Sequence, residues 1–416
     1  AGSASDMLII KADANGIQQW QKIIGTTNEY DWANCAAEVA DGYIIAGALS
    51  VSGDQERAIV KLNFDGNIVS GWPKTYHKAG ADAIRGIDIT DDGGIVATGY
   101  VGGSEYGYLF ICDSGQGSIM KTDADGNLQW DKILTYTMHG MRVAQIPGGF
   151  AVGGNQWVYS GGHDHQDVAL VLTDSDGDET YHNYYGGSGN DQCFDFAVTA
   201  DGGYIFAGHS TSYGVNWDFY LLKVANDKSE QWHRTFGQPR GYDAAYIHDE
   251  AYGVQQTPDG GFIIVGGSGD EYSYSECGHP SGCSDEWKVY IVKTDAEGNV
   301  QWQGVYPPTS AGGNNAGEHI NLTSDGGYIV CTDTDTAPGP PPNNFGLMKI
   351  GPDDYNPADF VCPEGVDFFD YSFFSDYWMD TDCAVTNNCD ATDLDFSGSV
   401  GPNDLDLFAE LWLVGK

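Results

Sequence analysis

Positive charge is scarce in this chain. Only 18 Lys plus Arg accompany 60 Asp plus Glu, a formal net charge of −42 over 416 residues, and a surface of that sign repels nucleic acid and anionic membranes. Self-repulsion on this scale opposes folding unless bound cations neutralise part of it. Calcium, which prefers carboxylate and carbonyl oxygens, is the natural counterion outside cells. No apolar run approaches the length of a membrane span. Long Ala/Leu/Glu/Lys stretches of helical period are missing except near the C-terminus, whereas 58 glycines and 13% aromatics fit an all-β chain with many turns.

No Cys-x-x-Cys pair points to zinc. Nine cysteines occur: Cys277 and Cys283 in a loop-like stretch, and Cys362, Cys383 and Cys389 in the tail, a pattern that suits disulfides in an oxidising compartment. Cys35, Cys112, Cys193 and Cys331 fall in strand patterns and read as small buried hydrophobes. The odd total leaves at least one thiol free or paired with another chain. No signal peptide opens the sequence, and its first residues, Ala1-Gly2-Ser3-Ala4-Ser5, read as a processed N-terminus. The expectation is therefore a mature exported protein, extracellular or on the cell surface.

What the sequence has in plenty is repetition. The phrase Asp41-Gly42-Tyr43-Ile44-Ile45-Ala46-Gly47 recurs at 92–99, 147–154, 201–208, 259–266 and 325–332, the spacing of supersecondary units that bury their faces on one another. In the unit at 187–236, apolar strands are expected at 193–199, 204–208, 217–224 and 230–236, with turns at 201–203 and 225–229. Four antiparallel strands with short turns make one propeller blade. The glycines of Asp-Gly-Gly supply the positive φ that a tight hairpin needs.

The second half of the unit, a Lys-to-Trp stretch, appears seven times against six copies of the first half, and the chain begins inside one. Six or seven four-stranded antiparallel blades are both compatible with that count. Residues 8–22 are expected to add outer strands beside 345–350, and an unfilled blade edge can accept a strand from another subunit. The run 201–208, with a Lys-x-x-x-x-x-Gly-Asn-x-x-Trp half such as 121–130, resembles the repeat propellers of bacterial exported and cell-surface proteins. The resemblance covers about residues 7–350 and implies the fold, not an activity.

The expected boundary lies at 351–357, dividing a propeller at 1–350 from a tail at 351–416. The tail carries 15 acidic residues against the single Lys416. Residues 393–404 match a twelve-residue calcium loop: oxygen side chains at positions 1, 3 and 5 (Asp393, Asp395, Ser397), Gly398 at 6, Ser399 at 7 and Asp404 at 12. A helix should follow, with Leu405, Phe408, Leu411 and Trp412 on one face. An offset of 34 residues repeats the pattern upstream, pairing Asp359 with Asp393, Asp370 with Asp404, Phe374 with Phe408 and Trp378 with Trp412. That first loop is degenerate, with Val361, Pro363 and Glu364 where ligands and glycine should be, and keeps Asp359, Asp367 and Asp370 as weaker calcium candidates. Two loop-and-helix repeats of this spacing resemble a dockerin, a calcium-dependent module that attaches proteins to cohesin-bearing scaffolds. The resemblance implies calcium at Asp393, Asp395, Ser397, Ser399 and Asp404. The tail cysteines depart from the commonest pattern, and a domain docking on its own propeller is the plainer alternative.

Asp174, Asp176 and Asp178 offer three carboxylates and form a third calcium candidate, although like 123–127 and 295–299 they occupy a hairpin where Asp and Gly are turn chemistry. His163, Asp164, His165 and Asp167 could contribute to a metal site, but sit in a Gly-rich stretch read as a solvated loop. Repeated Trp20, Trp72, Trp130, Trp232 and Trp302 read as packing. Unrepeated Trp157, Trp217, Trp287, Tyr159 and Tyr272 are candidates for a sugar- or protein-binding surface. No nucleophile–base set or phosphate-binding loop emerges, and so no catalytic residue is assigned. The reading is an extracellular, non-enzymatic propeller scaffold with a calcium-dependent assembly module, self-assembling or bound to a protein partner or glycan. The alternative is a secreted carbohydrate-active lyase or hydrolase, or a glycan-binding propeller, with a dockerin-like tail.

Overall fold

The computed structural model describes residues 5–26, 29–78, 80–103, 115–160, 163–237, 247–270, 287–306, 315–334 and 344–351, then 371–372, 374–375, 377–381, 392, 394, 397 and 399–414. Cys112, Tyr272, Cys277, Cys283, Cys362, Cys383 and Cys389 lie outside them. The chain forms two compact units, Ala1–Ser188 and Gly189–Lys416.

The first unit holds a hairpin, β1 (Met7–Ala12) with β2 (Gln18–Ile24), and three antiparallel four-stranded sheets. Blade 1 is β3 (Trp32–Val39), β4 (Gly42–Val51), β5 (Asp54–Leu62) and β6 (Lys74–Tyr76). Blade 2 is β7 (Ala81–Ile89), β8 (Ile95–Gly103), β9 (Gln116–Thr122) and β10 (Leu128–Leu134). Blade 3 is β11 (His139–Ile146), β12 (Gly149–Ser160), β13 (His163–Asp174) and β14 (Glu179–Tyr185). In the second unit, blade 4 is β15 (Asp191–Val198), β16 (Tyr204–Ser210), β17 (Asp218–Val224) and β18 (Glu230–Phe236). Blade 5 is β19 (Ile247–Gln256), β20 (Phe262–Asp270), β21 (Lys288–Thr294) and β22 (Val300–Tyr306). Blade 6 has three strands among the described residues, β23 (Asn315–Leu322), β24 (Tyr328–Thr334) and β25 (Asn344–Ile350). The fold class is thus an all-β, six-bladed propeller, with one described helix, α1 (Pro402–Val414). Residues 8–22 lie in the first unit, where β1 and β2 pair with each other as a hairpin.

Each part of the repeated phrase has a physical task. Its aspartate pairs with the lysine of the third strand: Asp41 with Lys61 (2.9 Å), Asp92 with Lys121 (2.6 Å), Asp201 with Lys223 (2.9 Å), Asp259 with Lys293 (2.8 Å) and Asp325 with Lys349 (3.0 Å). The Lys121 ammonium, with the Thr90 hydroxyl and the Gly94 N–H, holds the Asp92 carboxyl well below the usual carboxylate range. Blade 3 has Pro147 for the aspartate and Leu172 for the lysine, so both partners are lost together. The aromatic that follows receives the Trp of the preceding sheet: Trp20 on Tyr43, Trp130 on Phe150, Trp232 on Phe262 and Trp302 on Tyr328, with centroids 5.7–6.2 Å apart. Trp side chains at this repeated position also cover the next hairpin, where Gly66, Gly126, Gly177 and Gly298 have φ of 74–82° and a Cβ would press into Trp20, Trp72, Trp130 and Trp232.

Candidate functional site

A β-bulge recurs at one place in all six blades. The register of the first strand on the second slips by one residue at Asn34, Arg85, Met141, Phe194, Tyr252 and Glu318. The last glycine of the repeated phrase exists for this bulge. A Cβ at Gly47, Gly99, Gly154, Gly208 or Gly266 would collide with the carbonyl oxygen of Trp32, Ala83, His139, Gln192 or Glu250, the residue two positions before the slip. The sixth copy carries Thr332 opposite Gly317. Bulges re-aim side chains, and here the backbone device repeats while the residues it presents do not. That contrast marks the bulge belt as the candidate site.

In the first unit the belt is built around His139. Its imidazole is fully buried, packs at a tilt on Tyr100 (5.1 Å between centroids) and has no hydrogen-bond partner at either ring nitrogen among the described residues. Burial, with the nearby Arg85 charge, pushes His139 down to about 3, so it is neutral throughout the physiological range. The Arg85 guanidinium lies 6.0 Å from the Tyr100 ring centroid, and the Arg142 guanidinium donates to the Arg85 carbonyl at 3.1 Å.

In the second unit the belt is acidic and aromatic. His209 is buried among Phe194 (4.8 Å), Trp217 (4.8 Å, edge-on) and Tyr252 (6.3 Å, edge-on). The Tyr252 hydroxyl donates to Glu250 at 2.5 Å, and His248 Nδ1 lies 3.7 Å from the same carboxylate. Burial alone would raise Glu250, but nearby His209 and His248 and the hydrogen bond from Tyr252 hold its carboxyl well below the usual range. Because burial lowers His209 and keeps it neutral, the Tyr252 hydrogen bond acts at neutral pH and charge on His209 adds to it only in acid. Asp218, at the start of β17, is pushed the other way by burial, up to about 6.

One signal in the sequence was missed. A buried Asp or Asn opens the first strand of five blades: Asp31, Asp82, Asp191, Asp249 and Asn315. Asp31 accepts from the Thr26 hydroxyl (2.9 Å) and the Ser50 N–H (2.5 Å), and Asp191 from the hydroxyls of Ser210 (2.5 Å) and Ser212 (2.6 Å). Asp31 thereby ties the incoming loop to the second strand, and Asp191 ties the first strand to the end of the second. They belong to the scaffold.

The other sequence candidates are placed as follows. Asp174 closes an Asx turn, accepting from the N–H groups of Asp176 and Asp178 at 3.0 Å, while Asp178 pairs with Lys132 at 2.7 Å. His163–Asp167 is strand, not a solvated loop: β12 and β13 pair along their whole length, Val158 faces His165, and His165 is buried. Trp157 and Tyr159 stand exposed on β12, 41% and 73%. Trp217, half-buried, packs on His209, and Trp287, also half-buried, covers Gly267 and Gly269. The Cys193 thiol is buried and Cys35 and Cys331 are half-buried, with burial pushing Cys35 up to about 11.

In the tail, Asp359, Asp367, Asp370, Asp393 and Asp395 lie outside the described residues. Phe374 and Phe408, equivalent positions of the 34-residue duplication, stack at 5.1 Å and are both buried. The Met379 N–H donates to the Val400 carbonyl (3.0 Å), and the Val400 N–H to the Asp380 carbonyl (2.9 Å). Asp404 is 1% exposed and accepts from the Gly401 N–H at 2.7 Å. This is the reach-back bond of a capping box, ahead of Pro402 at the first helical position.

No family model and no curated protein matches the chain. Among solved structures it is similar to two proteins of unknown function. One, from Bacteroides caccae, has 12% identity and a TM-score of 0.39, covering 72% of this chain and 93% of that one. The other, from Dyadobacter fermentans, has 12% identity and a TM-score of 0.43, covering 77% and 94%. An endo-arabinase from Bacteroides thetaiotaomicron is also similar, with 10% identity, a TM-score of 0.35 and coverage of 64% and 92%. No helix among the described residues is long and apolar enough to cross a membrane.

Proposed function

We propose that this chain is a non-enzymatic assembly protein of the cell exterior: a rigid propeller scaffold whose dockerin-like tail attaches it in a calcium-dependent way to a protein partner or to further copies. The observation that carries the reading is the stacking of Phe374 on Phe408 at 5.1 Å, which supports two duplicated halves folded on each other as one module. Asp393, Asp395, Ser397, Ser399 and Asp404 would hold the ion. All are oxygen donors of the kind calcium takes, and bound calcium would supply charge that offsets their mutual repulsion. Asp359, Asp367 and Asp370 would form a weaker second site, and Asp174, Asp176 and Asp178 a third.

The test is limited proteolysis with and without EDTA. Cleavage within the tail should accelerate at least about tenfold on chelation, as expected where metal binding supplies folding free energy. An unchanged tail half-life in EDTA, with no calcium found in the purified protein, would remove the module.

A second reading, turnover of a glycan, is favoured by one observation: burial raises Asp218 to about 6 while Glu250 is held low, the divergence expected of a general acid and a base. A panel of neutral and uronate-containing polysaccharides tests it. Release of reducing ends or unsaturated products that is lost in Glu250→Gln would establish this reading, and no turnover from any substrate removes it.

A further inference from the structure

One position of the bulge belt carries a charge that the fold does not require. Two residues before the slip, blades 1 to 6 have Trp32, Ala83, His139, Gln192, Glu250 and Ala316. Five blades therefore close the same bulge without a carboxylate there. Glu250 is 9% exposed and accepts from the Tyr252 hydroxyl of its own strand. Among the described residues no Lys or Arg acts on it: the groups that hold it ionised are His209, His248 and Tyr252, and His209 is itself neutral. A buried carboxylate in that setting has given up hydration without gaining a counter-charge. A second observation comes from His209, close enough for its charge to act on Glu250. Its ring is 3% exposed, and Nδ1 has no hydrogen-bond partner among the described residues. With the proton on Nε2, Nδ1 offers a lone pair. Trp217, His248 and Tyr252 around the pair are half-buried, so within the second unit the cluster is not sealed.

Resting on the glycan reading above for the class of polymer, we propose that the Glu250–His209 cluster binds the primary ammonium of an amino sugar, as in a glucosamine polymer. The ammonium donates to the Glu250 carboxylate and to His209 Nδ1, and the sugar ring lies against Trp217 and Tyr252, whose aromatic surfaces also favour a nearby cation. Charge is what selects this ligand. A neutral hydroxyl would donate a hydrogen bond to Glu250 but leave the buried charge unmatched, and a uronate would be repelled by it. The net charge of −42 draws a polycation towards the chain, and Glu250 supplies the specific contact.

The experiment is calorimetric titration of the full chain, at about pH 6 and about 0.15 M ionic strength, with a glucosamine oligosaccharide and with its N-acetylated counterpart. The two ligands differ in charge at one nitrogen per sugar. The amine is expected to bind at least about tenfold more tightly than the amide, with that difference lost in Glu250→Gln. The variant keeps an acceptor for the Tyr252 hydroxyl, and an unchanged melting temperature confirms that it folds. It alters the net charge of −42 by a single unit, so non-specific attraction of a polycation survives it. Equal affinity for amine and amide, no binding of either, or Glu250→Gln binding like the wild type overturns the proposal. Turnover of a polysaccharide of the panel above, with no preference for the amine, removes this ligand and leaves the glycan reading standing. Tighter binding of the amine with no turnover of any substrate establishes the ligand and removes catalysis.

Discussion

Asp131→Ala is expected to cost about 3–5 kcal/mol of unfolding free energy, the range seen when one member of a buried ion pair is removed. Arg57 on β5 is 1% exposed, and its guanidinium donates to both Asp131 oxygens of β10, at 3.0 and 2.8 Å. Its Nε is used on the Tyr76 carbonyl (3.1 Å). Without Asp131, a buried cation between two blades loses its counter-charge while remaining shut off from water. Burial acts to raise the Asp131 carboxyl, but Arg57 and then Lys78 outweigh it, and the net displacement is downward. A depressed carboxyl stabilises the fold above its unfolded value and ceases to do so as pH falls through the folded value. This pair therefore supports the wild type above about pH 4 and weakens below it. Urea unfolding at pH 7 and pH 3 checks both: the difference between wild type and variant should be large at pH 7 and shrink in acid. A difference under 1 kcal/mol at pH 7 would mean that the pair behaves as an exposed one.

Gly208→Val is the second large effect, about 3 kcal/mol, from a site where nothing polar is lost. Its Cβ would enter the carbonyl oxygen of Gln192, so either the bulge at Phe194 flattens or the first strand moves away. Flattening the bulge turns Phe194 and displaces His209 and Tyr252, so altered Trp217 fluorescence should accompany the fall in melting temperature. The natural exception supplies the contrast. Blade 6 already accommodates Thr332 at this position, and Thr332→Gly should cost no more than about 1 kcal/mol, the backbone term alone. Equal costs at the two positions would show that the bulge does not require the glycine.

The blades were legible in the sequence because one phrase states turn, strand, ion pair and stacking in seven or eight residues. Asp201, Gly203 and Lys223 had to come together for the hairpin to close. The recurring Trp was rightly read as packing, since a residue repeated in every unit serves what every unit shares. The final glycine was read as the end of the phrase, and its use is visible only in the structure: nothing local in 201–208 indicates that a carbonyl from Gln192 would occupy the place of its Cβ. The same limit hid the bulge belt. Phe194, His209, Glu250 and Tyr252 come from two blades and lie up to 58 positions apart, and no spacing rule connects them. His165 was misread because Gly161 and Gly162 suggested a loop, whereas twelve consecutive cross-strand partners carry β12 and β13 to the pair Ser160–His163. The seventh copy of the Lys-to-Trp half was counted correctly. Its position required the structure, where it forms the separate β1–β2 sheet packed on blade 1.

Assembly that depends on calcium is the central claim, and its most direct test is the mass distribution of the purified protein, measured by sedimentation or mass photometry in 1 mM-scale calcium and after EDTA, at about 0.15 M ionic strength so that long-range repulsion is screened. Oligomers or filaments in calcium that revert on chelation, and that return when calcium is restored, are the predicted result. A single monomeric species of about 45 kDa, the mass of this chain, with and without calcium would contradict it.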